Sequence, residues 1–164
     1  MTKSREARAG ARIIERGDCH CPAGMLELHS SYAIGYVSLA REVRMRPKID
    51  DTWFGSITVE GTRCEYDIII RLSGKVRKRN KALSKAVYGT SHTISLAEVE
   101  ELYRKKAERL IIGTGQEDQV RLSDEAAEFL ADHHCRVELW PTPKAVKRWN
   151  EAEGKLLGLF HVTC

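Results

Sequence analysis

With 164 residues, 42% of them hydrophobic and 30% charged, the chain has the composition of a soluble globular protein of one domain plus an appendage. No apolar run approaches the ~20 residues of a bilayer-spanning helix, which excludes membrane insertion of that kind. The net charge of +4 is small and local, gathered in Arg5, Arg8, Arg12 and Arg16 and again between Lys75 and Lys85, so it does not by itself mark a nucleic-acid-binding protein.

Residues 1–45 read as an N-terminal extension and residues 46–164 as an α/β domain. The extension opens as a charged, glycine-punctuated arm. At 31–44 it has a segment in which Tyr32, Tyr36, Leu39 and Val43 fit one helical face, while Tyr32, Ile34 and Tyr36 also alternate as in a strand. Helix is the expectation there. Pro47 marks the boundary, because it disfavours helical geometry at Arg46.

Two strands are then expected, 53–60 and 63–72, joined at Glu60-Gly61-Thr62 into a hairpin that leads into the core. Within the second, Cys64, Tyr66, Ile68 and Ile70 alternate against polar neighbours. The basic stretch 73–92 has little apolar periodicity and reads as a long loop or irregular excursion. Ser95-Leu96-Ala97-Glu98 is a capping box, and Leu96, Val99, Leu102 and Tyr103 continue from it as a helical stripe.

From Arg109 onward the pattern is β-α-β-α-β. A buried strand at 109–112 ends in Gly113-Thr114-Gly115, a glycine turn at the strand end where open α/β sheets bind ligands. Ser123 caps a helix whose apolar face is Ala126, Ala127, Phe129 and Leu130, and 136–140 is the next strand. Thr142 as N-cap and Pro143 at the first helical position open a third helix, which faces inward through Ala145, Val146, Trp149 and Ala152 and stops at Gly154. A closing strand runs into Leu159-Phe160-His161-Val162-Thr163-Cys164, with Leu159 and His161 on one side and Phe160 and Val162 on the other.

These segments carry a family likeness. It rests on Trp53-Phe54-Gly55-Ser56-Ile57-Thr58-Val59, Tyr66-Asp67-Ile68-Ile69-Ile70, His92-Thr93-Ile94-Ser95, Ile112-Gly113-Thr114-Gly115, Pro141-Thr142-Pro143-Lys144-Ala145-Val146, Trp149-Asn150 and His161-Val162-Thr163-Cys164. In that order they resemble the Mth-nine-three-eight-like domain family over roughly residues 46–164. The resemblance implies a three-layer α/β fold with a mixed central sheet plus a β hairpin layer. It implies little chemistry, since most members lack an assigned activity and one eukaryotic branch is a mitochondrial complex I assembly factor.

No stretch holds a complete catalytic constellation or cofactor motif, so no catalytic residue and no cofactor is assigned. The candidate ligand-binding residues are Asp67, His92, Gly113, Thr114, Gly115 and His161. Asp67 stands out because an acid in an apolar strand needs a partner: an arginine, a loop amide or a substrate proton. Cys19, His20, Cys21 and His29 are candidate metal ligands, although Cys-x-Cys is tighter than usual zinc spacing. Cys135 and Cys164 read as packed thiols.

The first functional expectation is a non-enzymatic binding or assembly-type protein with a protein partner. The alternative is a small-ligand-binding protein or enzyme using a cleft beside the Gly-Thr-Gly turn. The basic stretch 75–85 lacks interleaved aromatics, so nucleic acid is the lesser partner; homo-oligomerisation stays open. Five cysteines without a secretory apolar segment point to a reducing, cytoplasmic setting, or a mitochondrial one in a eukaryote.

Overall fold

A computed structural model describes residues 46–164. The readings placed on the extension, including the 31–44 helix and the Cys19, His20, Cys21 and His29 ligand set, lie outside the described residues.

The central sheet has the strand order β5-β4-β10-β7-β9, built from β4 (Ile68–Ile70), β5 (Val76–Lys78), β7 (Arg109–Thr114), β9 (Arg136–Trp140) and β10 (Leu156–His161). It is mixed: β7 runs parallel to β9 and β10, whereas β4 is antiparallel to both β10 and β5. All six residues of β10 are buried, as expected of a central strand covered on both faces.

One face of the sheet, through Ile68, Ile70, Ile111 and Phe160, packs on α4 (Thr142–Glu151) and on an antiparallel sheet of β1 (Ile49–Trp53), β2 (Ser56–Val59) and β3 (Thr62–Cys64). Trp149 fills this core, and its indole N–H donates to the Pro47 carbonyl at 2.9 Å. The Asn150 amide brackets Ile49, accepting from its N–H at 3.0 Å and donating to its carbonyl at 2.7 Å, so α4 fixes where the small sheet begins. The opposite face, through Ile69, Leu110, Ile112, Leu157 and Leu159, packs on α2 (Leu96–Leu102) and α3 (Asp124–Asp132). A parallel pair, β6 (Thr93–Ile94) with β8 (Arg121–Leu122), lies beside them, and α1 (Lys81–Tyr88) contacts α2. This is the three-layer α/β arrangement with a mixed central sheet and an additional hairpin layer.

Several local expectations are corrected. The strand placed at 53–60 contains a turn, where Gly55 takes φ +85° and donates its N–H to the Val162 carbonyl at 2.7 Å; the first strand therefore starts at Ile49. The run 63–72 is two strands in two sheets, broken at 65–67, and Tyr66 points outward where alternation put it inside. Stretch 73–92 is ordered as β5 and α1. Its helix lacks an apolar stripe because its buried residue is Ser84, whose hydroxyl accepts from Ser95 N–H at 2.9 Å and donates to Glu98 Oε2.

The Ser95 box is half formed: its hydroxyl accepts from Glu98 N–H at 3.3 Å, while the Glu98 carboxylate turns inward instead of reaching back. Ser123 caps α3 as expected, but Ala127 is exposed. Thr142 is the first helical residue of α4 and not its cap, because its hydroxyl is committed to the sheet.

Candidate functional site

Asp67 stands just before β4 and is 1% exposed. Its Oδ1 accepts from Val162 N–H at 3.1 Å, and its Oδ2 accepts from His161 Nδ1 at 2.6 Å. Lys81 Nζ lies 2.9 Å and Arg79 NH1 3.3 Å from the same Oδ2. Burial alone would push this carboxyl up; the hydrogen bond and charge of His161, then Lys81 and the Val162 amide, outweigh it and hold the group at about 2.

Arg79 is also fully buried and forks onto Glu98, with Nε to Oε1 at 2.5 Å and NH2 to Oε2 at 3.1 Å, while NH2 also donates to the Ser91 carbonyl at 2.9 Å. The carboxylates of Asp67 and Glu98 are thus matched by the cations Arg79 and Lys81.

An ionised carboxylate can only accept, so the proton between Asp67 and His161 sits on Nδ1 and a neutral ring carries its lone pair on Nε2. That nitrogen faces Thr163 Oγ1 at 2.9 Å and Cys164 Sγ at 3.5 Å. A second imidazole closes the group. His92, just before β6, places Nε2 3.1 Å from Cys164 Sγ, and its ring meets that of His161 edge-on with centroids 5.5 Å apart. The ligand atoms of His92, His161 and Cys164 all fall within 4.8 Å of one another, with His92 and Cys164 half-buried.

The structure therefore brings Asp67, His92 and His161 together, and gives Gly113, Thr114 and Gly115 a different position. These three are buried. A Cβ at Gly113 would stand 2.8 Å from Thr142 Oγ1, and one at Gly115, where φ is +103°, would collide with the Cys164 carbonyl oxygen. Gly115 N–H donates to Thr142 Oγ1 at 3.0 Å, Thr142 Oγ1 donates to the His161 carbonyl at 2.5 Å, and Gln116 N–H donates to the Thr163 carbonyl at 3.0 Å. The strand expected to end at Ile112 continues through Thr114, paired with Phe160 and His161 of β10, and the turn opens at Gly115, which packs against residues 163–164 and seats Cys164 opposite the two imidazoles. Thr114 is tied locally, donating to Asp118 Oδ1 at 2.5 Å.

A cavity of about 550 Å³ opens beside the cluster, with Tyr66, Asp67, Lys78, Lys81 and Thr163 in its wall. The Trp53-Phe54-Gly55 turn borders it through Gly55, and its two aromatic side chains are 73% and 63% exposed. Arg79, Lys81, Glu98 and Cys164 are absent from the ligand-binding set read from the sequence. The one signal available was the demand of a buried Asp67 for a cationic partner, and that demand does not say which of the basic residues at 75–85 answers it.

Residues 49–157 match the model of a family described as protein of unknown function (DUF498/DUF598). The chain belongs to this Mth938-like family. The conserved hypothetical protein PH1505 of Pyrococcus horikoshii is similar at 32% identity and a TM-score of 0.67, over 71% of this chain and 99% of that one. The solved protein MT938 is similar at 33% identity and a TM-score of 0.62, over 72% and 99% of the respective chains. A Mth938-like domain of Bordetella pertussis, at 17% identity and a TM-score of 0.50 over 84% of this chain and 92% of that one, shares the fold. Among the described residues of this Mth938-like chain, no helix is long and apolar enough to cross a membrane.

Proposed function

We propose that this Mth938-like domain is a small-ligand-binding protein whose working groups are Asp67, His161, His92 and Cys164. The observation that carries this reading is the buried 2.6 Å bond between Asp67 and His161, which fixes the tautomer and leaves the other imidazole nitrogen beside the Thr163 hydroxyl, a half-buried thiol and a second histidine. His161 is buried, and its Nε2 lies within reach of both the Thr163 hydroxyl and the half-buried Cys164 thiol. The adjoining cavity falls in the size range of small-molecule sites and is lined mainly by polar and charged residues, reaching the cluster through Asp67, Lys81 and Thr163.

The test is a ligand screen on the full chain, read by NMR of the imidazole nitrogens. Binders should move the His161 and His92 ring resonances, and His92→Ala should weaken them about tenfold or more. Binding that leaves both rings unmoved would refute the reading.

Exposed Trp53 and Phe54 on the β1–β2 turn favour a second reading, that of a binding or assembly-type protein. A partner captured on that surface should be lost from Trp53→Ser/Phe54→Ser and kept by His92→Ala. The reverse pattern would set this second reading aside.

A further inference from the structure

Resting on that reading of the site, we propose that His92, His161 and Cys164 form a three-ligand centre for a borderline divalent transition metal of the zinc class, with one coordination position left for an exogenous ligand. The donor set is the first argument. Two imidazole nitrogens and one thiol sulfur are the ligand types that zinc takes from proteins, and three protein ligands with an open fourth place mark its reactive sites rather than its purely structural ones.

Geometry is the second. Zinc at ~2.0–2.1 Å from nitrogen and ~2.3 Å from sulfur in a tetrahedral site requires ligand atoms roughly 3.3–3.7 Å apart. The two nitrogen-to-sulfur separations are 3.1 and 3.5 Å, and the whole trio lies within 4.8 Å. Closing around an ion asks for side-chain adjustments of about an ångström or less. The Thr163 hydroxyl, now 2.9 Å from His161 Nε2, is the group that gives way, and its Oγ1 is free to rotate toward solvent or the thiol.

The third argument lies behind the ligands. A metal-bound histidine is oriented by an acceptor on its other nitrogen, most effectively a carboxylate. Asp67 stands there at 2.6 Å, and is itself held by Arg79, Lys81 and the Val162 amide. Cys164 is seated by the Gly115 turn, and His161 ends the fully buried β10. One ligand and its orienting acid are thus rigid before any ion arrives, and the thiol is close to its place. On binding, the Cys164 S–H bond breaks, the sulfur lone pair goes to the metal and the proton leaves to buffer.

Cobalt(II) added anaerobically to the reduced, metal-free full chain is the probe. One equivalent should produce the intense ligand-field bands of a four-coordinate ion together with a thiolate charge-transfer band, and zinc should displace it. Cys164→Ser should remove the charge-transfer band, and His92→Ala, at a half-buried position that the core does not need, should weaken binding about 100-fold or more. Asp67→Asn should weaken it by about 10–100-fold while the three ligands remain. Cys19→Ser/Cys21→Ser should bind as the parent does.

Failure to take up one equivalent would overturn the centre. So would a spectrum that survives Cys164→Ser and His92→Ala but disappears in Cys19→Ser/Cys21→Ser, since the ion would then belong to the extension. A compound that moves the His92 and His161 resonances of a chain that takes up no cobalt would overturn the metal and leave the small-ligand reading standing. A chain that fails both tests would lose both.

Discussion

Removing the Arg79 guanidinium, which has no solvent exposure and is shared between Glu98 and Asp67, takes the forked cation from the buried Glu98 carboxylate and leaves Asp67 to Lys81 and His161. Arg79→Met should therefore cost about 3–5 kcal/mol, measured by urea unfolding. Arg79→Lys should recover only part of that, because an ammonium cannot fork onto Glu98 while also reaching Asp67 and the Ser91 carbonyl.

The thiols separate as clearly. Burial pushes the Cys135 thiol up to about 11 from 9.0, so at pH 8 its thiolate is scarce by about 100-fold beyond an ordinary cysteine. Alkylation of the native chain should reach Cys164 first and leave Cys135 to be labelled only on unfolding. The sign for stability follows. Below 9.0 the thiol is protonated in both states; as pH rises past that value the unfolded chain ionises and the folded one does not, so this group draws stability away until about pH 11. Equal labelling of the two residues in the native state would contradict this assignment.

Elements whose hydrophobic period is regular were legible in the sequence, and those held by polar anchors were not. The strand at Arg136–Trp140 and the helix facing inward through Ala145, Val146 and Trp149 stand where their pattern puts them. Helix α1 escaped because it is held by the Ser84 hydroxyl, and a serine on a basic helix looks like a solvated loop. The break between β3 and β4 escaped because alternation across Cys64, Tyr66 and Ile68 is the same whether a chain stays in one sheet or crosses to another.

Of the Gly-Thr-Gly segment read as a turn, Gly113 and Thr114 close β7 and only Gly115 opens the turn; the segment's packing against residues 161–164 was not legible either, since only the fold says what approaches a glycine. Gly115→Ala tests that role. It meets both a positive φ and a backbone oxygen of Cys164 in the space the new methyl would fill, and should cost about 1–3 kcal/mol in a thermal melt. It should also change the alkylation rate of Cys164, which a purely local strain would leave alone.

At the scale of the molecule, the polar cluster is assembled from residues that no spacing rule connects: Asp67 and His161 are 94 positions apart, and His92 and Cys164 are 72. A motif reader works along the chain, and this site exists only across it. The fold class was legible because β-α-β-α-β strongly limits topology; the antiparallel insertion of β4 beside β10 was not. With β10 between β4 and β7 and covered on both faces, its amides should be the slowest to exchange with deuterium, and those of the two-stranded β6–β8 pair should open well before it. Hydrogen-exchange mass spectrometry resolves the two segments, and comparable rates would show that the sheet does not unfold around its central strand last.

The place of β10 sets when the central sheet can be completed. It follows all the other described strands in sequence yet lies in the middle of the sheet, so until it inserts, β4 and β7 have no common neighbour and each holds out an open edge lined with isoleucine. Contacts of such high sequence separation close slowly. From the synthesis of β7 until that of β10 the growing polypeptide carries both edges, and a fragment ended at residue 155 should aggregate rather than form a smaller domain. Asp67 meets His161 only when β10 docks, so this buried pair reports that the central sheet is complete.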